Sequence, residues 1–325
     1  MGSTKIKFII ILSGILFSLL KYSEGNAQSR IKPEIWVNDI GANGTDTLND
    51  TWAFQKAIDS MAGLGGGIVK VRSGNYYIDV DSSIKMKSNV ELNMFDTSRK
   101  LIAIPTYSGK YRVILIQKAD DVTIIGGKII GEREKHSGPE CAHKCEQGYG
   151  ITIAGSRNVK VTDSFITECW GDGIVLYGAS GVDCKNITLL RVTCSNNRRQ
   201  GLSILNGDGI IVDSCAFLNT HGTAPQDGID IEPDAGTTQN VIIKNCLISN
   251  NAGNGVEMNA KPTTSAIIKN ITVQNNIIQY SKYAGYIQHS SNIKFNLNTF
   301  QNIKYASDLH ASDCGSCTLA PNTEK

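Results

Sequence analysis

Five short segments of the chain share one pattern: glycine, an apolar residue, any residue, an apolar residue, any residue. They begin at Tyr149 (YGITIA), Asp172 (DGIVLY), Gln200 (QGLSIL), Asp227 (DGIDIE) and Asn254 (NGVEMN), and AGYIQH from Ala284 is a weaker sixth. Alternation with a period of two is the signature of a strand with one buried face. Aligned on the glycine, Ile174, Leu176, Leu202, Ile204, Ile229, Ile231, Val256 and Met258 point one way, and Asp230, Glu232 and Glu257 point the other. A second strand recurs as NVELN from Asn89, DVTII, NVKVT, NITLL, GIIVD, NVIIK, NITVQ and NIKFN from Asn292. Its spacing is roughly 22 to 37 residues, the range of solenoid rungs.

Each rung carries three short strand-like pieces with Asn, Gly and Asp at the bends. Asn196-Asn197, Asn250-Asn251 and Asn275-Asn276 occupy comparable bends, as expected if side-chain amides stack between rungs. One rung cannot bury its own apolar face, so stacking builds the core. The pattern therefore predicts an all-β protein, a parallel β-helix. A β-propeller is the main competitor, but its blades run to about 40 residues and lack this punctuation. Between Trp36 and Tyr77 the texture changes. Asp50 is a candidate N-cap, Trp52, Phe54, Ala57, Ile58 and Met61 follow at helical spacing, and a glycine run stops the helix. This segment is expected to cap the open end of the stack.

Residues 1–28 show a charged, apolar and then polar order that predicts a secretory signal. An uncleaved anchor is the alternative, and both export the remainder. The predicted organisation is thus signal peptide 1–28, cap and first strands 29–80, rungs 81–306 and a loose tail 307–325. The expected location is secreted, periplasmic or cell-surface. The net charge of +2 gives no indication of nucleic-acid binding. Beyond the signal segment no stretch predicts a membrane span. Nine cysteines in an exported chain permit disulfides, with Cys141–Cys145 and Cys314–Cys317 as close pairs. Cys215 and Cys246 share an offset in consecutive repeats and read as stacked buried thiols.

The register locates candidate chemistry. Rungs stack about 4.8 Å apart, and alternate positions on a strand lie about 6.6 Å apart. The second outward column reads Thr152, Val175, Ser203, Asp230, Glu257 and Ile287. The third reads Ala154, Tyr177, Leu205, Glu232, Asn259 and His289, and the column before the glycine holds Asp172, Gln200, Asp227 and Asn254. Asp230 should therefore neighbour both Glu257 and Glu232. Clustered carboxylates are unfavourable unless one keeps its proton or a cation binds. The first outcome suits general acid and base catalysis, the second a calcium site, and a solvated acidic ladder satisfied by Arg198, Arg199 or Lys261 is the plain structural reading. The insertion Gly131–Gln147 holds His136 and leads into the Tyr149 strand, so it is expected to overhang the same face. Its Cys141-x-His143-x-Cys145 run reads as a disulfide-pinned loop rather than a metal cluster. Tyr149 and Tyr177 are candidates for stacking on sugar rings.

From Asp39 to Asp79 the Gly-Ala-x-Gly start, helix, Gly-Gly-Gly and Val-Arg-Ser-Gly-Asn-Tyr resemble the opening of the pectate-lyase-like right-handed parallel β-helix superfamily. As a repeat pattern the resemblance runs from about Trp36 to Tyr305. It implies a right-handed solenoid and a polysaccharide substrate. Gln226-Asp227-Gly228-Ile229-Asp230 is similar to the Asn-Thr-Asp-Gly-x-Asp segment of polygalacturonase-type glycoside hydrolases, which implies a catalytic carboxylate at Asp227. The rest of that family's motifs have no counterpart here, so Asp230, Glu232 and Glu257 rest on the register.

The favoured expectation is a glycoside hydrolase in which Asp227, Asp230, Glu232 and Glu257 are catalytic. Asp172, Arg198, Arg199, Tyr149, Tyr177 and His136 would then bind substrate, with no cofactor or metal. A lyase or C5-epimerase on a uronate polymer is the alternative; Ca2+ enters there, and Arg199, His136, His221 or Tyr149 would abstract the proton. A non-enzymatic glycan-binding or structural β-helix is the third. Monomer and trimer both suit such a solenoid.

Overall fold

The computed structural model describes residues 32–138, 145–305 and 307–324. The signal segment expected over 1–28 and the Cys141–Cys145 pairing lie outside the described residues. Strands from Glu34 onward form an eighteen-stranded and a ten-stranded sheet. Their pairings are parallel, rung on rung. Each central rung gives one strand to each of three faces, as Ile229–Ile231, Thr237–Lys244 and Leu247–Ser249 do. The inward residues are fully buried down the stack: Ile174, Leu202, Ile229, Val256 and Ile287 on the first face, Ile187, Ile210, Val241 and Ile271 on the second.

The repeated glycine has a steric cause. A Cβ on Gly173, Gly228 or Gly255 would lie 2.8 Å from the carbonyl oxygen of the next rung, a contact that side chains do not tolerate. At the bends, Asn158, Asn186, Asn240, Asn270 and Asn292 have left-handed backbone with φ near 55°, which Asn adopts more readily than most residues. Their amides bond rung to rung, as in Asn270 to Asn240 at 3.1 Å and Asn292 to Asn270 at 2.8 Å. A second, buried set ties the turns from inside. Asn276 accepts from the Cys246 N–H at 2.9 Å and donates to the Ile243 carbonyl at 3.1 Å.

The helix Thr51–Gly63 covers the first rungs with Phe54, Ala57, Ile58 and Met61. Two details differ from expectation. Asp50 occupies the N-cap position without a side-chain capping bond; its Oδ1 instead accepts from the Asn43 N–H. Trp52 is 56% exposed, on the solvent side of the helix. The segment expected as a loose tail is a further rung, with Leu309–Gly315 pairing onto Gly285–Asn296 and Thr323–Glu324 onto Thr299–Gln301. Cys314 and Cys317 form a disulfide, while Cys215 and Cys246 are buried free thiols. Among the described residues no helix is long and apolar enough to cross a membrane.

Candidate functional site

The first face carries the site. Its outward ladder runs Thr152, Val175, Ser203, Asp230, Glu257, Tyr286, His310. Asp230 thus lies opposite Glu257 on the neighbouring strand, and Glu232 follows Asp230 just past the strand end. The sixth segment differs from the expected alignment by one residue. Gly285, not Tyr286, stands opposite Val256, so Ile287 faces the core beside Met258 and Tyr286 faces outward beside Glu257. The cause is Phe295: a Cβ on Gly285 would meet its ring at 2.8 Å and Leu309 at 2.9 Å. This glycine makes room inside the core rather than marking the bend.

Asp227 and Asp230 point away from the core yet are nearly inaccessible, at 0% and 1% exposure. Glu232 and Glu257 are half-buried. Gln200 joins the two aspartates: its Nε2 donates to Asp230 Oδ2 at 2.8 Å, and its Oε1 accepts from the Asp227 N–H at 2.8 Å. The Asn254 N–H donates to Asp227 Oδ1. Glu257 accepts from Asn254 Nδ2 at 2.9 Å and Asn259 Nδ2 at 3.5 Å. Asp227 Oδ2 and Asp230 Oδ1 are buried without a hydrogen-bond partner.

Burial raises Asp227 well above the usual carboxylate range, and the adjacent Glu257 charge adds to this. Asp230 is raised for the same reason, first by burial and then by Asp227, Glu232 and Glu257. Glu232 is raised by burial and by Glu257. Asp227, Asp230 and Glu232 are therefore all shifted towards holding their protons to higher pH than free carboxyls do.

Arg199 flanks the acids. Its guanidinium is 3.4 Å from Asp172 and 3.4 Å from Glu146. Ser203 holds Asp172 from the other side with a 2.8 Å bond. Burial alone would lower the Arg199 value, but Asp172, Asp230, Tyr149 and Glu146 reverse this and raise it. Tyr149 is buried beside Asp172 and Arg199, and burial foremost raises its phenol. Tyr177, half-buried, stands one rung from Ala154 in the third column.

Other expected residues are placed elsewhere. The His136 side chain is 1% exposed, bonds Glu132 through Nδ1 at 2.8 Å and stacks on Trp170 at 4.0 Å. It packs the base of the insertion, between Glu132 and Trp170. Arg198 lies over the Trp170 ring, 3.8 Å from its centroid, rather than among the acids. His221 is exposed on a neighbouring bend. Lys261 pairs with Asp234 at 3.1 Å. Among its described residues, the insertion meets the site at Glu146, which pairs with Arg199.

Sequence reasoning missed an aromatic cluster on the next rungs of the acid ladder. Tyr286 stacks on His310 at 4.6 Å, and Tyr283 sits 4.6 Å from Tyr305 and 5.7 Å from Tyr286. The inward-facing Ile287 was the signal that could have found it.

Residues 112–300 match the right handed beta helix region family. That is more than half of the chain, and the chain belongs to this family. The uncharacterized protein YclG of Bacillus subtilis is 29% identical over 222 residues, 60% of this chain. The chain spans only 37% of that relative's length. Among solved structures, the A-module of mannuronan C-5 epimerase AlgE6 from Azotobacter vinelandii superposes with a TM-score of 0.73 at 16% identity, covering 89% of this chain and 75% of that one. The tailspike gp49 of Acinetobacter baumannii bacteriophage Fri1, a capsular polysaccharide depolymerase, gives 0.57 at 16% identity, covering 90% and 62%. At such identities the likeness is one of fold.

Proposed function

We propose that the chain is an exported enzyme that hydrolyses a polysaccharide at the carboxylate cluster. The observation that carries this reading is the union of two proton-holding aspartates behind two half-buried glutamates, tied together by Gln200 and Asn254. In this reading Glu232 protonates the glycosidic oxygen, and Glu257 takes a proton from the attacking water. The sugar–oxygen bond breaks as the bond from water forms. Asp227 and Asp230 stand behind this pair as buried acids, and the Glu257 charge helps Glu232 to keep its proton. Tyr286 and its aromatic neighbours offer apolar surface to sugar rings.

The alternative, elimination or epimerisation on a uronate, needs an unprotonated base. Arg199 is one candidate, and its carboxylate neighbours hold its proton more firmly, the opposite of what a base requires; burial likewise raises the Tyr149 phenol. Arg199 instead suits the positioning of acids and substrate. The known polysaccharide activities of the AlgE6 and gp49 structures support a carbohydrate substrate without choosing the reaction. No cation is assigned to the cluster, so cleavage should survive a chelator; its loss with EDTA and return with Ca2+ would favour the alternative. The deciding experiment is digestion of a panel of acidic and neutral polysaccharides, with product masses read for the addition of water. An unsaturated, ultraviolet-absorbing product without that addition would overturn hydrolysis.

A further inference from the structure

One bend away from the acids lies a cleft of about 410 Å³ lined by His221, Asn250, Tyr280, Lys282, Asn302 and Lys304, among others, and by no carboxylate. Neither lysine has a salt-bridge partner among the described residues. Lys282 joins the cleft to the acid cluster: its N–H donates to the Gly253 carbonyl at 2.8 Å, and Gly253 packs directly on the Asp227 carboxyl.

Tyr280 makes the cleft unlike the rest of its bend. Backbone bonds align positions 196, 219, 250, 280 and 302 on successive rungs. All five are left-handed, as is Glu168 one rung before Asn196; four of these six are Asn, and Tyr280, at φ 51°, is the one aromatic residue among them. Asn is at home in that conformation, and a bulky side chain there carries a backbone cost, as Phe95, Arg191 and Leu297 do at other bends. The Tyr280 ring is 53% exposed, and the substitution interrupts the amide ladder that Asn250 makes with Asn219 at 2.7 Å. The molecule gives up a favourable bend residue and gains an exposed ring beside two ammonium groups.

We propose that this cleft binds an anionic sugar unit, with its apolar face against Tyr280 and its carboxylate or sulfate on Lys282 and Lys304. The amides of Asn250 and Asn302 are then donors for hydroxyls. This deepens the hydrolase reading, on which it rests for its link to cleavage: the polymer is acidic, and the cleft holds a unit beside the cleaved bond.

Binding tests this separately from chemistry. The full chain carrying Glu257→Gln, which leaves the ligand uncut, is titrated calorimetrically with galacturonate, mannuronate and sulfated galactose tetramers and with a neutral galactose tetramer. At least one acidic tetramer should bind, and which one distinguishes carboxylate from sulfate. Adding Lys282→Ala and Lys304→Ala should weaken that binding tenfold or more, and so should raised salt. Tyr280→Asn restores the residue of the neighbouring rungs, keeps the fold, and should weaken binding severalfold. Unchanged affinity in the lysine and Tyr280 variants, or a wild-type preference for the neutral tetramer, overturns the proposal, as does the absence of any acidic binding. Lysine-dependent binding supports the cleft even where the unmutated chain releases no product, a result that would sink only the hydrolase reading.

Discussion

Gln200 Nε2 donates to Asp230 Oδ2, which assigns that oxygen as an acceptor and leaves the buried, unpartnered Oδ1 as the place for the Asp230 proton. Burial makes the protonated form the favoured one in the folded chain. The unfolded chain loses this proton near the ordinary value of 3.8. Above that pH the native state binds more protons than the unfolded state, so the stability this group provides is lost as pH rises through its folded value. Asp230→Asn keeps the acceptor for Gln200 and removes the titration. The variant should melt at a higher temperature than the parent at about pH 8, with the two converging towards about pH 4. Its cleavage rate should fall by about 10²-fold or more. Equal melting temperatures across that range would remove the buried-acid account.

Glu257 carries the second prediction. Glu257→Gln keeps the side-chain length and an oxygen for Asn254 Nδ2, and it loses the ability to take a proton from water. The expected loss in kcat is about 10²–10⁴-fold, with circular dichroism and melting cooperativity unchanged. Full activity in this variant would move the chemistry off the cluster.

The adjacency of Asp230 and Glu257 was legible because a strand's period of two is rigid and the glycine pins its phase at the rung-to-rung contact. The phase slipped at Ala284-Gly285, where small residues answer to two different demands, a bend and the Phe295 ring. That slip hid Tyr286, which the structure sets beside Glu257. Burial was not legible either. Asp227 and Asp230 sit in outward columns, but they are buried and bonded by Gln200 and Asn254 of adjacent rungs, and a register counts positions without giving their cover. His136 and Arg198 read as loop residues free to reach substrate; Trp170, from a different rung, collects both. The last rung was missed because its strand, Leu309–Gly315, has almost no buried apolar alternation to show.

Gly253 gives a test that touches no acid. A Cβ at this position would collide with Asp227 Oδ1 and with the Pro225 carbonyl. Gly253→Ala should therefore displace the Asp227 carboxyl from the Asn254 N–H and from Glu257. Activity should drop at least tenfold, with the loss in kcat, because Asp227 is the carboxyl displaced. A variant with full kcat and an intact fold would show that Asp227 placement does not matter to catalysis.

The buried amide ladder sets the last prediction, on stability. Asn276 is 1% exposed and serves the Cys246 N–H and the Ile243 carbonyl, and it also donates to Asn298 Oδ1 at 2.9 Å. Asn276→Leu fits the volume but leaves both backbone groups unpaired in the interior. Each such group costs about 1–3 kcal/mol, so the variant should lose roughly 2–6 kcal/mol. Denaturant unfolding of the parent and variant measures this. In a stack where each rung contacts only its neighbours, the loss should appear first as local opening of the rungs around residue 276. Hydrogen exchange should then rise there, including on the rung of Asp230, which carries Ile243 and Cys246, while strands several rungs away such as Val90–Met94 keep more of their protection. Uniform loss along the whole chain would instead mark the solenoid as a single cooperative unit.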